Sequence, residues 1–130
     1  MSARPVSPSS ITVLVVDDEA DMVTTYRRLL RRHGHRVIAA ATCRQALDVV
    51  ESEALGLVIA DLRLPDGSGL DVVKAAQQRT TPPPVVVVTG HASPASRQQA
   101  LAAGAAAYLA KPFALEAFVD LVAGLLKEHA

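Results

Sequence analysis

Charged and polar side chains stand where the apolar runs of this chain end. Asp17 and Asp18 follow the run ITVLVV, Asp61 follows LGLVIA, Thr89 follows VVVV and Lys111 follows AAYLA. Adjacent carboxylates at the end of a buried strand repel each other, and withdrawing them from water is costly unless a positive charge lies near them. We therefore expect a cation, an ammonium group or both beside Asp17 and Asp18.

The residue types at these positions suit phosphoryl transfer. Asp17, Asp18 and Asp61 offer carboxylate oxygens, the hard ligands that Mg²⁺ prefers. Lys111 can bind one phosphoryl oxygen as a point charge, and the Thr89 hydroxyl can hydrogen-bond another. One carboxylate would then be the nucleophile. Asp61 is the best candidate, because its strand would lie between the acidic pair on one side and Thr89 and Lys111 on the other.

Each of these residues also has an ordinary structural interpretation. An aspartate after a strand often caps the next helix, a threonine can end a strand, and a lysine can lie in a solvated loop. The interpretation as a site depends on all five residues lying close together in the fold. In α/β sheets the ligand binds beyond the carboxyl ends of the strands, and all five residues fall at that edge.

Five apolar runs alternate with segments of helical periodicity, and this alternation predicts the elements that position the five residues. The predicted strands cover 11–16, 35–40, 55–60, 85–88 and 106–110, and the predicted helices cover 19–34, 43–54, 70–79, 95–104 and 114–130. Strands that read as continuous Val, Ile and Leu runs are buried on both faces, as in a parallel sheet. Right-handed crossovers then give a doubly wound α/β fold.

Local signals refine these predictions. Thr42 and Ser93 are expected to cap helices, and Gly34 and Gly104 to end them. The second strand ends in alanines and is placed at an edge of the sheet, away from the site. In the last helix, one apolar stripe is predicted to face the core; it consists of Leu115, Phe118, Val119, Val122, Leu125 and Leu126.

Composition limits the class of protein. The chain has 130 residues, no formal net charge and a single cysteine, Cys43, so neither a polyanion-binding surface nor a cysteine-based metal site is indicated. No apolar run is long enough to span a bilayer. Residues 1–10 read as a disordered leader and 11–130 as one domain, which we expect in the cytoplasm.

The segments VLVVDDE, LVIADLRLPDGSGL, VVVVTGH and ALAAGAAAYLAKPF resemble, in their order and spacing, the receiver domain of two-component response regulators. The wording is nearest to NtrC-like and FixJ-like receivers. The resemblance implies a flavodoxin-like three-layer sandwich whose five-stranded parallel sheet has the order 2-1-3-4-5, flanked by five helices. It also implies a signalling switch rather than an enzyme that turns over a small substrate.

The resemblance assigns roles to the acidic residues. Asp61 would accept a phosphoryl group from a sensor histidine kinase or a phosphotransfer protein. Asp17 and Asp18 would hold Mg²⁺ together with Asp61, Asp17 through a water, and the backbone carbonyl of Arg63 would complete the metal site. Thr89 and Lys111 would bind the phosphoryl oxygens.

The resemblance also assigns residues around the site. Thr89 and Tyr108 would form a switch pair, although ordinary half-buried packing explains Tyr108 equally well. The Lys111–Pro112 peptide bond would be cis, which is affordable before proline. Arg63 and His91 would flank the path of a hydrolytic water and slow loss of the phosphoryl group. The simpler alternative is that both are solvated loop residues.

Several alternatives stay open at this point. A Mg²⁺-dependent phosphohydrolase with an aspartyl-phosphate intermediate would want an Asp-x-Asp pair and a larger body, and a flavodoxin-like cofactor binder would want a phosphate loop and stacking aromatics. The chain is either a stand-alone receiver or one domain of a longer regulator. The resemblance places readout or dimerisation on the fourth helix, fifth strand and fifth helix, and kinase contact on the first helix and the 112–113 loop, with no nucleic acid or membrane bound by this domain.

Overall fold

The computed structural model describes residues 10–128. The elements are β1 (Thr12–Val16), α1 (Ala20–Arg32), β2 (Arg36–Ala40), α2 (Cys43–Ser52), β3 (Leu57–Asp61), α3 (Gly69–Gln77), β4 (Val85–Thr89), α4 (Pro94–Ala103), β5 (Ala107–Ala110) and α5 (Leu115–Glu128). The predicted leader, 1–10, lies outside the described residues except for Ser10, and the boundary assigned to it stays a prediction.

The five strands form one parallel sheet in the order β2-β1-β3-β4-β5. This confirms the predicted doubly wound fold, its five helices and the edge position of β2. The β3 strand begins two residues later than expected and includes Asp61, since Asp61 pairs with Val88 of β4. The central strands β3 and β4 are buried along their whole length, as continuous Val and Ile runs require in a sheet covered on both faces.

Helices cover the sheet on both faces and produce two separate cores. One face of the sheet, with Leu14 and Val58 among its residues, packs under α2, α3 and α4. The other face, with Val13 and Ile59, packs under α1 and α5 around Tyr26 and Phe118. Because successive strand residues point to opposite faces, each apolar run supplies both cores at once.

The helix ends follow the local signals in the sequence. The Thr42 hydroxyl accepts a hydrogen bond from the backbone of Gln45 at 3.1 Å and caps α2. Ser93 caps α4, with Pro94 in the first turn, where the missing N–H of proline has no helical partner to lose. Gly104 ends α4 at φ +113°, a left-handed conformation that glycine adopts without a side-chain penalty.

Two features depart from the sequence prediction. The turn-rich segment before α3 contains a short antiparallel hairpin between Arg63–Leu64 and Gly67–Ser68. In the predicted apolar stripe of α5, Phe118, Val122 and Leu125 are buried, but Leu115 is 49% exposed. Leu115 is the first residue of α5, and the periodicity of the stripe does not show that this helical turn lies beyond the core. Among the described residues, no helix combines the length and apolarity needed to cross a membrane.

Candidate phosphorylation site

Strand register brings the predicted residues to one edge of the sheet. Val16 of β1 pairs with Ala60 of β3, so the residues that follow them, Asp17 and Asp61, are neighbours. Thr89 pairs with Ala110 at the end of β5, and Lys111 is the next residue. All three of Asp17, Asp61 and Thr89 are buried, with 2%, 9% and 0% exposure.

The buried residues that follow or end the three central strands share one local geometry. Asp17 Oδ1 accepts the backbone N–H of Glu19 at 2.9 Å, and Asp61 Oδ1 accepts that of Arg63 at 3.1 Å. The hydroxyl oxygen of Thr89 accepts the N–H of His91 at 3.0 Å. Such bonds to the residue two positions ahead are characteristic of Asx and Ser/Thr turns. They fix each side chain and leave the second carboxylate oxygen, or the hydroxyl proton, for another partner.

Lys111 joins the two buried carboxylates. Its Nζ donates to Asp61 Oδ2 at 3.0 Å and to Asp17 Oδ2 at 3.1 Å. The Lys111–Pro112 peptide bond is cis, and Phe113 beyond it stacks on Phe118 with ring centroids 5.6 Å apart. The loop that carries Lys111 is therefore packed against the aromatic core under α1 and α5.

The charges in the site perturb one another. Burial raises the pKa of Asp17 above its usual value, although the Glu19 N–H and Lys111 act against this effect. Burial alone would lower the pKa of Lys111, but its hydrogen bonds to Asp61 and Asp17 outweigh burial and raise that pKa above its usual value. Lys111 is therefore a permanent cation at neutral pH, held between two carboxylates that compete for it.

The acidic side chains fit a divalent cation. Among the described residues, the carboxylate oxygens of Asp17, Glu19 and Asp61 lie within 4.8 Å of one another. Oxygen donors without His or Cys favour Mg²⁺ over transition metals. Asp18 is exposed and lies outside this group of carboxylates, so its assignment as a metal ligand stays a prediction.

Glu19 was not selected from the sequence. The turn closed by the Glu19 N–H on Asp17 brings residue 19 back toward the pocket, and Glu19 Oε1 lies 3.7 Å from Lys111 Nζ. The available signal was an acid two positions after a strand-terminal aspartate, which is the spacing of an Asx turn.

The remaining predicted residues surround this centre. Arg63 and His91 are exposed, and their backbone N–H groups hold Asp61 and Thr89. Tyr108 is half-buried on β5, and its hydroxyl lies at the start of α4, where it hydrogen-bonds to Ser96. The switch role of Tyr108 and the effect of Arg63 and His91 on hydrolysis stay predictions.

Gly69 allows the first turn of α3 to lie directly against the backbone of Asp61. A Cβ at this position would stand 2.4 Å from the Asp61 carbonyl oxygen, far inside van der Waals contact. The Gly69 N–H donates to the Leu62 carbonyl at 2.9 Å. This close approach fixes the position of the segment that connects Asp61 to α3.

The chain matches the model of the response regulator receiver domain over residues 13–123. It is 35% identical over 117 residues to the response regulator MprA of Mycolicibacterium vanbaalenii, covering 90% of this chain and 51% of MprA. It therefore spans about half the length of that relative.

Solved structures agree with this match. The beryllofluoride-activated NtrC4 receiver domain dimer superposes with a TM-score of 0.85 at 28% identity, over 92% of this chain and 98% of that one. A response regulator protein from Burkholderia pseudomallei, solved with a phosphorylated aspartic acid, calcium ion and citrate, has a TM-score of 0.77 at 31% identity, over 92% of this chain and 72% of the other. Together with the convergence of Asp17, Asp61, Thr89 and Lys111, these matches show that the chain belongs to the response regulator receiver domains of two-component signalling.

Proposed function

We propose that Asp61 accepts a phosphoryl group from a histidine kinase or a phosphotransfer protein and thereby switches the signalling state of this domain. The observation that carries the proposal is the pairing of Lys111 with both Asp61 and Asp17, at 3.0 and 3.1 Å. The Lys111 ammonium group can replace one of its two carboxylate partners with a phosphoryl oxygen once Asp61 is phosphorylated.

The chemistry follows from the contacts of Asp61. An oxygen of its carboxylate attacks phosphorus, the bond from phosphorus to the donor imidazole nitrogen breaks, and the imidazole leaves as the neutral ring after taking up a proton. The Arg63 N–H holds Asp61 Oδ1 at 3.1 Å during the attack. Lys111 and the Thr89 hydroxyl then bind phosphoryl oxygens, since the Thr89 oxygen already accepts from His91 and its proton is free to be donated.

The metal ligands in this proposal are Asp17, Asp18, Asp61 and the backbone carbonyl of Arg63. A bound Mg²⁺ would neutralise the negative charge that the carboxylates and the phosphoryl oxygens accumulate. Support for a divalent cation comes from the group of carboxylates formed by Asp17, Glu19 and Asp61. The calcium ion named with the Burkholderia pseudomallei protein is consistent with an oxygen-ligand site in a relative.

The face made by α4, β5 and α5 is the proposed readout and dimerisation surface. Its strand, β5, is an edge strand of the sheet. Within residues 10–128 the large hydrophobic side chains that stand exposed are Leu101 on α4, at 40%, and Leu115 on α5, at 49%. The dimer of the NtrC4 receiver is consistent with such a role.

We further propose that the domain acts in the cytoplasm and catalyses only its own phosphorylation and dephosphorylation. A Mg²⁺-dependent phosphohydrolase acting on a separate substrate is less well supported, because Asp17 and Asp18 are adjacent rather than spaced as the Asp-x-Asp pair of that class.

Phosphorylation by acetyl phosphate tests the proposal. The wild-type chain, Asp61→Asn and the control Asp71→Asn, which removes an exposed acid in the first turn of α3, are incubated with and without Mg²⁺ and analysed by intact mass spectrometry. We expect wild type and Asp71→Asn to gain one phosphoryl group only with Mg²⁺, and Asp61→Asn to gain none. Modification that persists in Asp61→Asn would show that another residue is the nucleophile.

A further inference from the structure

The hydroxyl of Tyr108 is built into the start of α4. It hydrogen-bonds to the Ser96 hydroxyl and lies 3.4 Å from the backbone nitrogen of Ser93. Tyr108 and Ser96 are both half-buried. Because Tyr108 belongs to β5 and the serines to the first turn of α4, these bonds join an edge strand to a helix end.

Ser96 belongs to the capping box of α4. The Ser93 hydroxyl accepts the Ser96 N–H at 3.0 Å, and the Ser96 hydroxyl accepts the Ser93 N–H at 3.2 Å. The Ser96 hydroxyl also donates to the Ser93 carbonyl at 3.2 Å. The Ser93 N–H is thus shared between two acceptors, the hydroxyls of Ser96 and Tyr108. The Ser96 hydroxyl is one of these acceptors and also hydrogen-bonds to the other, the Tyr108 hydroxyl.

Only three residues separate this capping box from Thr89. The Thr89 hydroxyl oxygen holds the His91 N–H at 3.0 Å, and a Cβ at Gly90 would meet no atom within 4 Å. If Thr89 turns toward a phosphoryl group at Asp61, its bond to His91 changes, and the short loop transmits that change to Ser93. The loop therefore connects the phosphorylation site to the group that binds Tyr108.

We propose that Ser96 is a positioning residue that holds Tyr108 at the capping box of α4 in the unphosphorylated state. The inference rests on the proposed function, because it assumes that Tyr108 moves inward on phosphorylation. Inward movement breaks the bonds of the Tyr108 hydroxyl to Ser96 and Ser93, and α4 loses a partner at its first turn. The position of Tyr108 is in this way coupled to the N-terminus of α4 on the readout surface.

The expected effect is set by the net value of one hydrogen bond. Removing the Ser96 hydroxyl favours the activated conformation of the unphosphorylated chain by roughly threefold to tenfold. The Ser93 hydroxyl still caps α4 in Ser96→Ala, because it accepts from the backbone of residue 96. The change therefore acts mainly on Tyr108 and leaves the principal helix cap in place.

Backbone amide NMR of the full chain tests the inference. Spectra of wild type with and without beryllofluoride and Mg²⁺ define the two end states. Unliganded Ser96→Ala is expected to shift α4 and β5 resonances along the line toward the activated state, while Ser96→Thr, which keeps a hydroxyl, stays at the wild-type position. In Tyr108→Phe, Ser96→Ala is expected to add no further shift. Thr42→Ala removes the cap of another helix and serves as the control, with no shift expected.

The outcomes separate the two proposals. If wild type responds to beryllofluoride but Ser96→Ala stays at the wild-type position, or if Ser96→Ala shifts as far in the Tyr108→Phe background as alone, the inference is overturned and the proposed function stands. If wild type does not respond to beryllofluoride, the proposed function fails and the inference fails with it. Urea unfolding measures the stability of each variant. Thr42→Ala also loses a helix cap, so a shift caused only by lower stability would appear in Thr42→Ala as well.

Discussion

At the scale of single residues, the site is built by side chains that bind their own backbone. Asp17, Asp61 and Thr89 each accept the N–H two positions ahead. These bonds orient the side chains before any ligand binds. Lys111, which follows β5, links Asp17 and Asp61, and its positive charge offsets part of theirs.

Metal binding can be assigned residue by residue. We expect Asp17→Asn to weaken Mg²⁺ binding roughly 10–100-fold, because Asp17 is proposed to hold the ion through a water and this is the usual cost of losing an outer-shell partner. Glu19→Gln should weaken it less, because the Glu19 side chain is 63% exposed and 3.7 Å from Lys111. Calorimetric titration of the unphosphorylated chain measures the affinities, with Asp71→Asn as the control. Unchanged binding in Asp18→Asn would remove Asp18 from the proposed ligand set.

The lifetime of the phosphoryl group is predicted to depend on Arg63 and His91. We expect the double variant Arg63→Ala, His91→Ala to lose the group severalfold faster, because smaller side chains open the path of the hydrolytic water. The backbone N–H groups that hold Asp61 and Thr89 remain in this variant, so the site itself stays intact. Decay of the phosphorylated species, followed by mass spectrometry beside the exposed control Arg97→Ala, measures the effect. An unchanged half-life would assign both residues to solvated loops.

At the scale of elements, α3 is fixed to the site by its first residue. Gly69 brings the helix start against the Asp61 backbone, and Ser68 caps the helix by accepting the Leu70 N–H at 3.1 Å. The loop between β3 and α3 is also held from α2, since Asp66 accepts the backbone N–H groups of Cys43 and Arg44 at 2.7 and 3.0 Å. Charge-assisted bonds at a helix N-terminus favour this arrangement.

Gly69→Ala is predicted to damage both the fold and the site. Its Cβ would stand 2.4 Å from the Asp61 carbonyl oxygen, so α3 must move, at a cost of about 1–3 kcal/mol in the free energy of unfolding. Phosphorylation by acetyl phosphate should slow as Asp61 is displaced. Urea unfolding and the rate of mass gain measure the two effects. Gly124→Ala is the control, because no atom lies within 4 Å of its Cβ and alanine favours the helix; equal behaviour of the two variants would contradict the prediction.

At the scale of the whole molecule, the sheet separates two cores and its carboxyl edge carries the site. At the opposite edge, buried His35 accepts the Ile11 N–H at 3.3 Å through Nδ1. Burial lowers the pKa of His35 below its ordinary value of 6.5, and His33 adds to this effect.

The pH dependence of stability follows from that shift. A histidine whose pKa is lower in the folded state binds its proton preferentially in the unfolded chain, so the free energy of unfolding falls as pH drops through 6.5. We expect His35→Asn, which keeps an acceptor, to flatten the dependence between about pH 7.5 and 5.5. Urea unfolding at both pH values measures it. His91→Asn is the control at an exposed position, and an equal slope in wild type and His35→Asn would contradict the assignment.

The order of the elements and the residues at the strand ends could be predicted from the amino-acid sequence alone. Continuous apolar runs identified the buried strands, and the motif set around Asp17, Asp61, Thr89 and Lys111 indicated the family. These features are local or periodic in the sequence, so patterns in one amino-acid sequence reveal them. The helix caps at Thr42 and Ser93 were predictable for the same reason.

Which side chains meet depends on how the elements pack in three dimensions. The strand register places Lys111 between Asp17 and Asp61, although these residues are far apart in the chain. A turn on Asp17 brings Glu19 rather than Asp18 into the group of carboxylates. The helix start of α4 binds the Tyr108 hydroxyl. Such contacts depend on register, loop geometry and helix placement, which composition and periodicity do not specify, because the same pattern permits several ways of joining the ends of neighbouring strands.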